Sequence, residues 1–179
     1  IRPVNGHVVS CFLTPNDRSQ FAFPASLRAE IKSWIPAEFL VDVPNFRSED
    51  KDQILRDIYT LADQHFDVAR RLLARERYDY FMLVDMGVDR IHHGYWRYMD
   101  PRHPRHEPGH RFEHAIHDYY VHVDGLIGGL LDLVPPETVV LVVSDHGGQA
   151  MQGGLGINEW LVEDGLLGVD AYPAPGSEP

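Results

Sequence analysis

Two short apolar runs, YDYFMLVD at residues 78–85 and TVVLVVS at residues 138–144, constrain this chain more than any other feature. Both are rich in β-branched or aromatic residues and stop at charged ones, the pattern of a strand covered on both faces. Between them, residues 112–133 carry Ile116, Tyr120, Val123, Ile127 and Leu131 at helical intervals and end before Pro135 and Pro136. Strand, crossover helix and strand predict a parallel βαβ unit, because a tight turn joins only antiparallel strands and a parallel pair needs a dozen or more connecting residues. The predicted fold class is therefore α/β.

Each run breaks directly into metal-capable side chains. Asp85, Asp89, His92 and His93 follow the first, and Asp145 with His146 follows the second. Parallel strands share a direction, so their carboxyl ends open on one edge, where open α/β sheets bind their ligands. Neighbouring strands lie about 4.8 Å apart, close enough for two loops to hold ions about 4 Å from each other. Such a pair of ions requires the two clusters to approach within roughly 8 Å at their nearest polar atoms. Asp89 and His93 are four residues apart and share a face if DRIHH forms a helical turn; His92, three from Asp89, satisfies spacing as well. Carboxylate oxygen with imidazole nitrogen suits Zn(II) and tolerates Mn(II) or Fe(II). The competing reading of either motif alone is an ordinary turn in which the Asp caps the next helix. Two clusters after consecutive strands favour metal binding, and Gly87, Gly94, Gly147 and Gly148 are expected to let the backbone turn tightly around it.

The remaining segments are ordinary. HVVSCFL (7–13) reads as a buried strand, ASLRAEIKSWI as a short helix, and Ser48 with Glu49 and Asp50 as the start of a helix running to about Arg77 through Ile54, Ile58, Leu61, Ala69 and Leu72. MDPRHPRHEPGH is a proline-broken loop, INEWLVEDGLL a short helix, and residues from about 170 to 179 an unstructured end. With 179 residues, 44% of them apolar, the chain makes one domain. A formal charge of −11 argues against a grip on nucleic-acid polymers, which needs clustered Lys and Arg. No apolar run approaches the roughly 20 residues that span a bilayer, so no membrane partner is expected. Cys11 is the single cysteine, which excludes an intrachain disulfide, fits a reducing, cytoplasmic setting and reads as an inert core thiol. His103, His106, His110, His114 and His117 are expected to serve the loop and its surface, with a substrate-facing lid as the functional alternative. Arg90 is expected to pair with Asp85 or to meet a substrate phosphate, and Tyr119 and Tyr120 to pack.

Three stretches, GVDRIHHGYW with its Asp-x-x-x-His, VVSDHGG with its Asp-His pair, and GINEWLVEDGLL beyond, resemble the type I phosphodiesterase and nucleotide pyrophosphatase branch of the alkaline phosphatase superfamily. VNGHVVSCFLTP near the start extends the likeness. The resemblance implies an alkaline-phosphatase-like, mostly parallel sheet flanked by helices on both faces, and a two-metal hydrolase of small phosphate-ester substrates. Asp89 and His93 would supply part of one metal site and Asp145 and His146 part of the other, which selects His93 over His92. It further implies a Thr or Ser nucleophile and another ligating Asp near the amino end of the domain, and a further ligating His toward its carboxyl end. No histidine follows His146, and Thr14, in FLTPND, is the nearest hydroxyl without matching a nucleophile motif. The chain, which opens at IRPVNG, is thus expected to be an internal, incomplete part of a longer catalytic domain, with catalytic and substrate-binding residues and oligomeric state unassigned. Cys11 lacks the Cys-x-Pro-x-Arg setting of a sulfatase. A phosphomutase or phosphonate hydrolase would reuse the same ligands, and a degenerate, non-catalytic metal-binding domain is the rival from another class.

Overall fold

The computed structural model describes residues 5–10, 14 and 20–171. Within them the chain is helix-rich. Strand β1 (Val8–Val9) pairs antiparallel with β2 (Ala22–Phe23), Val8 opposite Phe23 and Val9 opposite Ala22. Cys11, the last residues of HVVSCFL and most of the expected unstructured end lie outside the described residues.

Helix α1 (Ala25–Trp34) turns Leu27 and Ile31 inward, four apart, and stops before Pro36. Helix α2 (Lys51–Arg75) is the longest element. Its cap is Asp50, whose side chain accepts from the Gln53 backbone N–H at 3.0 Å, while Ser48 Oγ accepts from Asp50 N–H at 3.1 Å. The expected cap therefore moves two residues along: the carboxylate, stronger than a hydroxyl as an acceptor at the positive helix end, takes the orphan donor. Ile54, Ile58, Leu61, Ala69 and Leu72 are all buried.

Helix α3 (Gly87–Met99) follows the first apolar run with a single turn residue between, and α4 (Ala115–Leu131) follows the histidine loop. These two helices and α2 pack on one another around Ile58, Leu61, Ile91, Tyr95, Tyr119 and Val123. A second cluster, with Phe21, Leu27, Ile31, Phe39 and Leu72, lies under α1 and the far end of α2. Burying each such side chain contributes on the order of 1.5–3 kcal/mol before the entropy of ordering it is subtracted.

The expected parallel sheet is not formed among the described residues. Residues 81–85 and 138–144 are neither helix nor strand and make no ladder with each other or with anything else described. In the first run Tyr80, Phe81, Met82 and Val84 are exposed, whereas Leu83 packs on the helical core. Val139 to Val143 are all exposed, from 51% to 84%. An isolated two-stranded pairing is marginal in water, and a parallel one slightly more so, whereas α2, α3 and α4 bury their apolar stripes without help. Helix α5 (Ile157–Glu163) follows and buries none of its residues.

Candidate functional site

The site is built on the first turn of α3. Asp89 is the third residue of that helix and His93 lies one turn on, so the four-residue spacing puts the His93 Nε2 3.2 Å from Asp89 Oδ1. The other carboxylate oxygen, Oδ2, accepts from Arg90 Nη1 at 3.2 Å. Arg90 is itself held from behind: its Nε and Nη2 donate to the two oxygens of Asp42, at 2.9 and 2.6 Å, and its guanidinium lies over the Phe46 ring. The expected partner, Asp85, is not the one it uses. A bidentate carboxylate fits the planar fork of an arginine, and Asp42 offers one.

The second motif arrives from the other side. His146 Nε2 lies 3.9 Å from the same Asp89 Oδ1 and 3.8 Å from Asp145 Oδ1. Its Nδ1 faces the Gly147 carbonyl at 2.8 Å. With a proton on Nδ1 donated to that carbonyl, the neutral ring keeps its Nε2 lone pair toward the carboxylates, the orientation a metal-ligating histidine usually shows. The Gly147 carbonyl first, then Asp145 and Asp89, raise the His146 pKa above its ordinary value.

Asp89, His93 and His146 thus meet around one carboxylate oxygen. Asp145 is 90% exposed and approaches the group only through His146. Among the described residues no three His, Cys, Asp or Glu side chains are arranged to hold one ion. The donor set itself fits a borderline divalent ion, since two carboxylates and two imidazoles supply the oxygen and nitrogen ligands that Zn(II) takes.

His92 turns away from this group. Its Nε2 meets the Tyr120 hydroxyl at 3.3 Å and its ring stands edge-on to Trp96, with centroids 5.2 Å apart. Thr14 Oγ1 hydrogen-bonds Ser10 Oγ at 2.5 Å. The loop histidines hold the loop in place: His103 Nδ1 accepts from Arg105 N–H within it, whereas His106 Nδ1 meets the Arg97 carbonyl and His110 stacks on Tyr98, with centroids 4.2 Å apart, both on the end of α3. His117 pairs with its neighbour Asp118.

Two contacts beside the site, Tyr119 with Asp85 and Trp96 with Gly148, were not legible in the sequence. Asp85 ends the first apolar run as expected, but it is drawn inward, where it accepts from the buried Tyr119 hydroxyl at 3.0 and 3.1 Å and from Gly87 N–H at 2.9 Å. Burial pushes its carboxyl pKa up, against those hydrogen bonds. Gly87 is what allows this. A Cβ there would overlap the Tyr119 oxygen, so close approach of the ring, not a special backbone angle, demands the glycine. Gly148 is the second case, since a Cβ at that position would lie 2.7 Å from Trp96 Cζ3. Neither they nor Gly94 and Gly147 adopt positive φ, which among the described residues belongs to Gly109, Gly165 and Asn45.

A helical scaffold thus presents carboxylate and imidazole donors on a helix turn and an adjoining loop. The chain matches type I phosphodiesterase / nucleotide pyrophosphatase over residues 5–175 and belongs to that family, one of phosphoester hydrolases acting on small-molecule phosphoesters. No curated protein and no solved structure matches it. The family implies the alkaline-phosphatase-like α/β fold, of which the described residues show helices and a two-stranded antiparallel sheet but no parallel one. No helix among the described residues is long and apolar enough to cross a membrane.

Proposed function

We propose that this chain contributes part of the active site of a metal-dependent phosphodiesterase, in which Asp89, His93, Asp145 and His146 hold two divalent ions, Zn(II) before Mn(II) or Fe(II). The observation that carries the reading is the convergence of two separate motifs on one oxygen, with His93 and His146 both presenting Nε2 to Asp89 Oδ1. Arg90 occupies Asp89 Oδ2 and leaves Oδ1 facing the imidazoles, so it acts as a positioning group, not a phosphate clamp. The Gly147 carbonyl fixes the tautomer of His146. Bound ions in such a site lower the pKa of an attacking hydroxyl and neutralise charge on the transferring phosphoryl group.

The nucleophile, a Thr or Ser, is proposed to lie outside this sequence, with nucleotide-type phosphodiesters as substrates and a cytoplasmic setting. The absence of a three-ligand group among the described residues favours a second reading, a metal-binding relative without catalysis. Calorimetric titration with Zn(II) tests the first. Each motif offers two ligands where an ion takes about four, so the chain is expected to bind well short of the affinity of a closed structural site. Asp89→Asn and His146→Ala are each expected to weaken binding by at least about tenfold. Unchanged affinity in both variants would sink the assignment. The chain is also expected to leave bis(p-nitrophenyl) phosphate intact. Chelator-sensitive turnover abolished by Asp145→Asn would instead move the nucleophile into this chain, with Thr14 the first residue to replace.

A further inference from the structure

We infer that Trp96 is a positioning residue that seats the SDHGG loop on α3 through Gly148, and that this seat, rather than the sheet edge, sets His146 beside Asp89. Little of the loop is buried: residues 137–149 are all exposed, Ala150 just beyond them is buried, and helix α5 buries nothing. Gly148 is the exception in contact, since an added Cβ would lie 2.7 Å from Trp96 Cζ3, 3.1 Å from Trp96 Cη2 and 3.2 Å from His92 Nδ1. Backbone therefore rests directly on the indole edge, an approach open only to a residue without a side chain.

The indole is itself oriented. Its Nε1 donates to Asp100 Oδ2 at 3.0 Å, and Asp100, just past the end of α3, is buried and held by Arg102 through its backbone N–H, Nε and Nη2. His92 completes the seat, edge-on to Trp96 and capped by Tyr120. Asp89, His92, His93 and Trp96 follow one another at intervals of three, one and three along the helix, so the ligand face and the seat are adjacent faces of the same two turns. Fixing Gly148 on the seat leaves one residue, Gly147, between it and His146.

The seat does not depend on a bound ion, whereas its effect on metal affinity rests on the hydrolase reading above. Nuclear Overhauser contacts in the metal-free chain, between Gly148 Hα and the Trp96 ring and between the His146 ring and the Asp89 methylene, read the seat directly. Both are expected in the wild type. Gly148→Ala is expected to lose the His146–Asp89 contact, and Gly148→Ala combined with Trp96→Phe to regain it, because phenylalanine lacks the ring atoms that the new methyl would strike. A Trp96 that merely filled space would give two additive losses and no recovery. Absence of both contacts in the wild type, an undisturbed His146–Asp89 contact in Gly148→Ala, or a double variant no better than the single one, overturns the inference. Zn(II) titration of the same variants then separates the two claims: a tenfold or larger loss in Gly148→Ala, recovered in the double variant, extends the seat to metal binding. Intact contacts with no Zn(II) binding in any variant would leave the seat standing and remove the metal reading.

Discussion

The residue that most sharply reports the packing around the site is Gly87. Its place is fixed by contact: Tyr119 passes so close to reach Asp85 that a methyl group has no room. Gly87→Ala is expected to destabilise by about 1–3 kcal/mol, the usual cost of overpacking a filled core, visible as a lower urea midpoint at unchanged slope. Unaltered stability would mean that Tyr119 has freedom the packing denies it. His65 gives a second reading at this scale. It stacks on Phe39, meets the Leu40 carbonyl at 2.8 Å through Nε2, and has its pKa lowered from 6.5, chiefly by burial. A base with a depressed folded pKa binds fewer protons folded than unfolded, so stability is lost as pH falls below about 6.5 and the ring is forced to charge. Melting temperature is therefore expected to drop between pH 7.5 and 5.5, and to drop less in His65→Gln, which keeps a donor for Leu40 but cannot titrate. Equal slopes in the two proteins would refute a buried neutral His65. Neither contact is legible in sequence, because Gly87 and His65 find their partners 32 and 26 positions or so away, through helix packing that spacing does not encode.

At the scale of elements, the helices were legible and the sheet was not, for one physical reason. An amphipathic helix satisfies its own backbone, so the stripe Ile54, Ile58, Leu61 and Leu72 on α2 declares the element and its inner face together, whereas on α4 the expected stripe holds at Ile116 and Val123 but Tyr120 and Leu131 are exposed and Tyr119 takes the inner place. A strand borrows its hydrogen bonds from another segment, so TVVLVVS declares a preference and not a pairing. The Asp89–His93 pair was legible because both ends sit on one helix. Its meeting with His146 was expected from the shared edge of a parallel sheet that the described residues do not form, and the contact of Trp96 with Gly148 carries no spacing signal beyond a tryptophan one helical face from His92. Asp42 was equally hidden. It joins the segment before α2 to α3 through the bidentate pair with Arg90, in which Arg90 is 15% and Asp42 28% exposed. Asp42→Ala removes two charge-assisted hydrogen bonds at a half-buried site and is expected to cost about 1.5–3 kcal/mol. It also removes the carboxylate that orients Arg90 behind Asp89, so Zn(II) affinity should fall with stability. A variant as stable as the parent would show the pair to be screened like an exposed one.

The whole molecule has a well-buried half and an open one. Two clusters account for the core up to α4, whereas Val139, Val140, Leu141, Val142 and Val143 form a continuous exposed run, followed by Leu155, Ile157 and Trp160, also exposed. Five consecutive β-branched or aliphatic residues without a charge or a proline are the pattern of a segment that pairs with copies of itself, and among the described residues they form no ladder that would occupy their N–H and C=O groups. The formal charge of −11 opposes association at low ionic strength, and salt screens that repulsion beyond about 10 Å at 0.1 M. The chain is therefore expected to stay dispersed in dilute buffer and to associate as salt is raised. Light scattering across a salt series checks this, alongside a Leu141→Lys and Val143→Lys variant. The two lysines break the run at positions whose side chains are more than 80% exposed and so cost the folded core nothing. The variant is expected to remain monomeric at salt concentrations where the parent aggregates, with the same far-ultraviolet circular dichroism. If both proteins associate alike, the exposed run is not the sticky element, and the apolar face of α5 with its neighbours Leu155 and Leu166 becomes the surface that drives association.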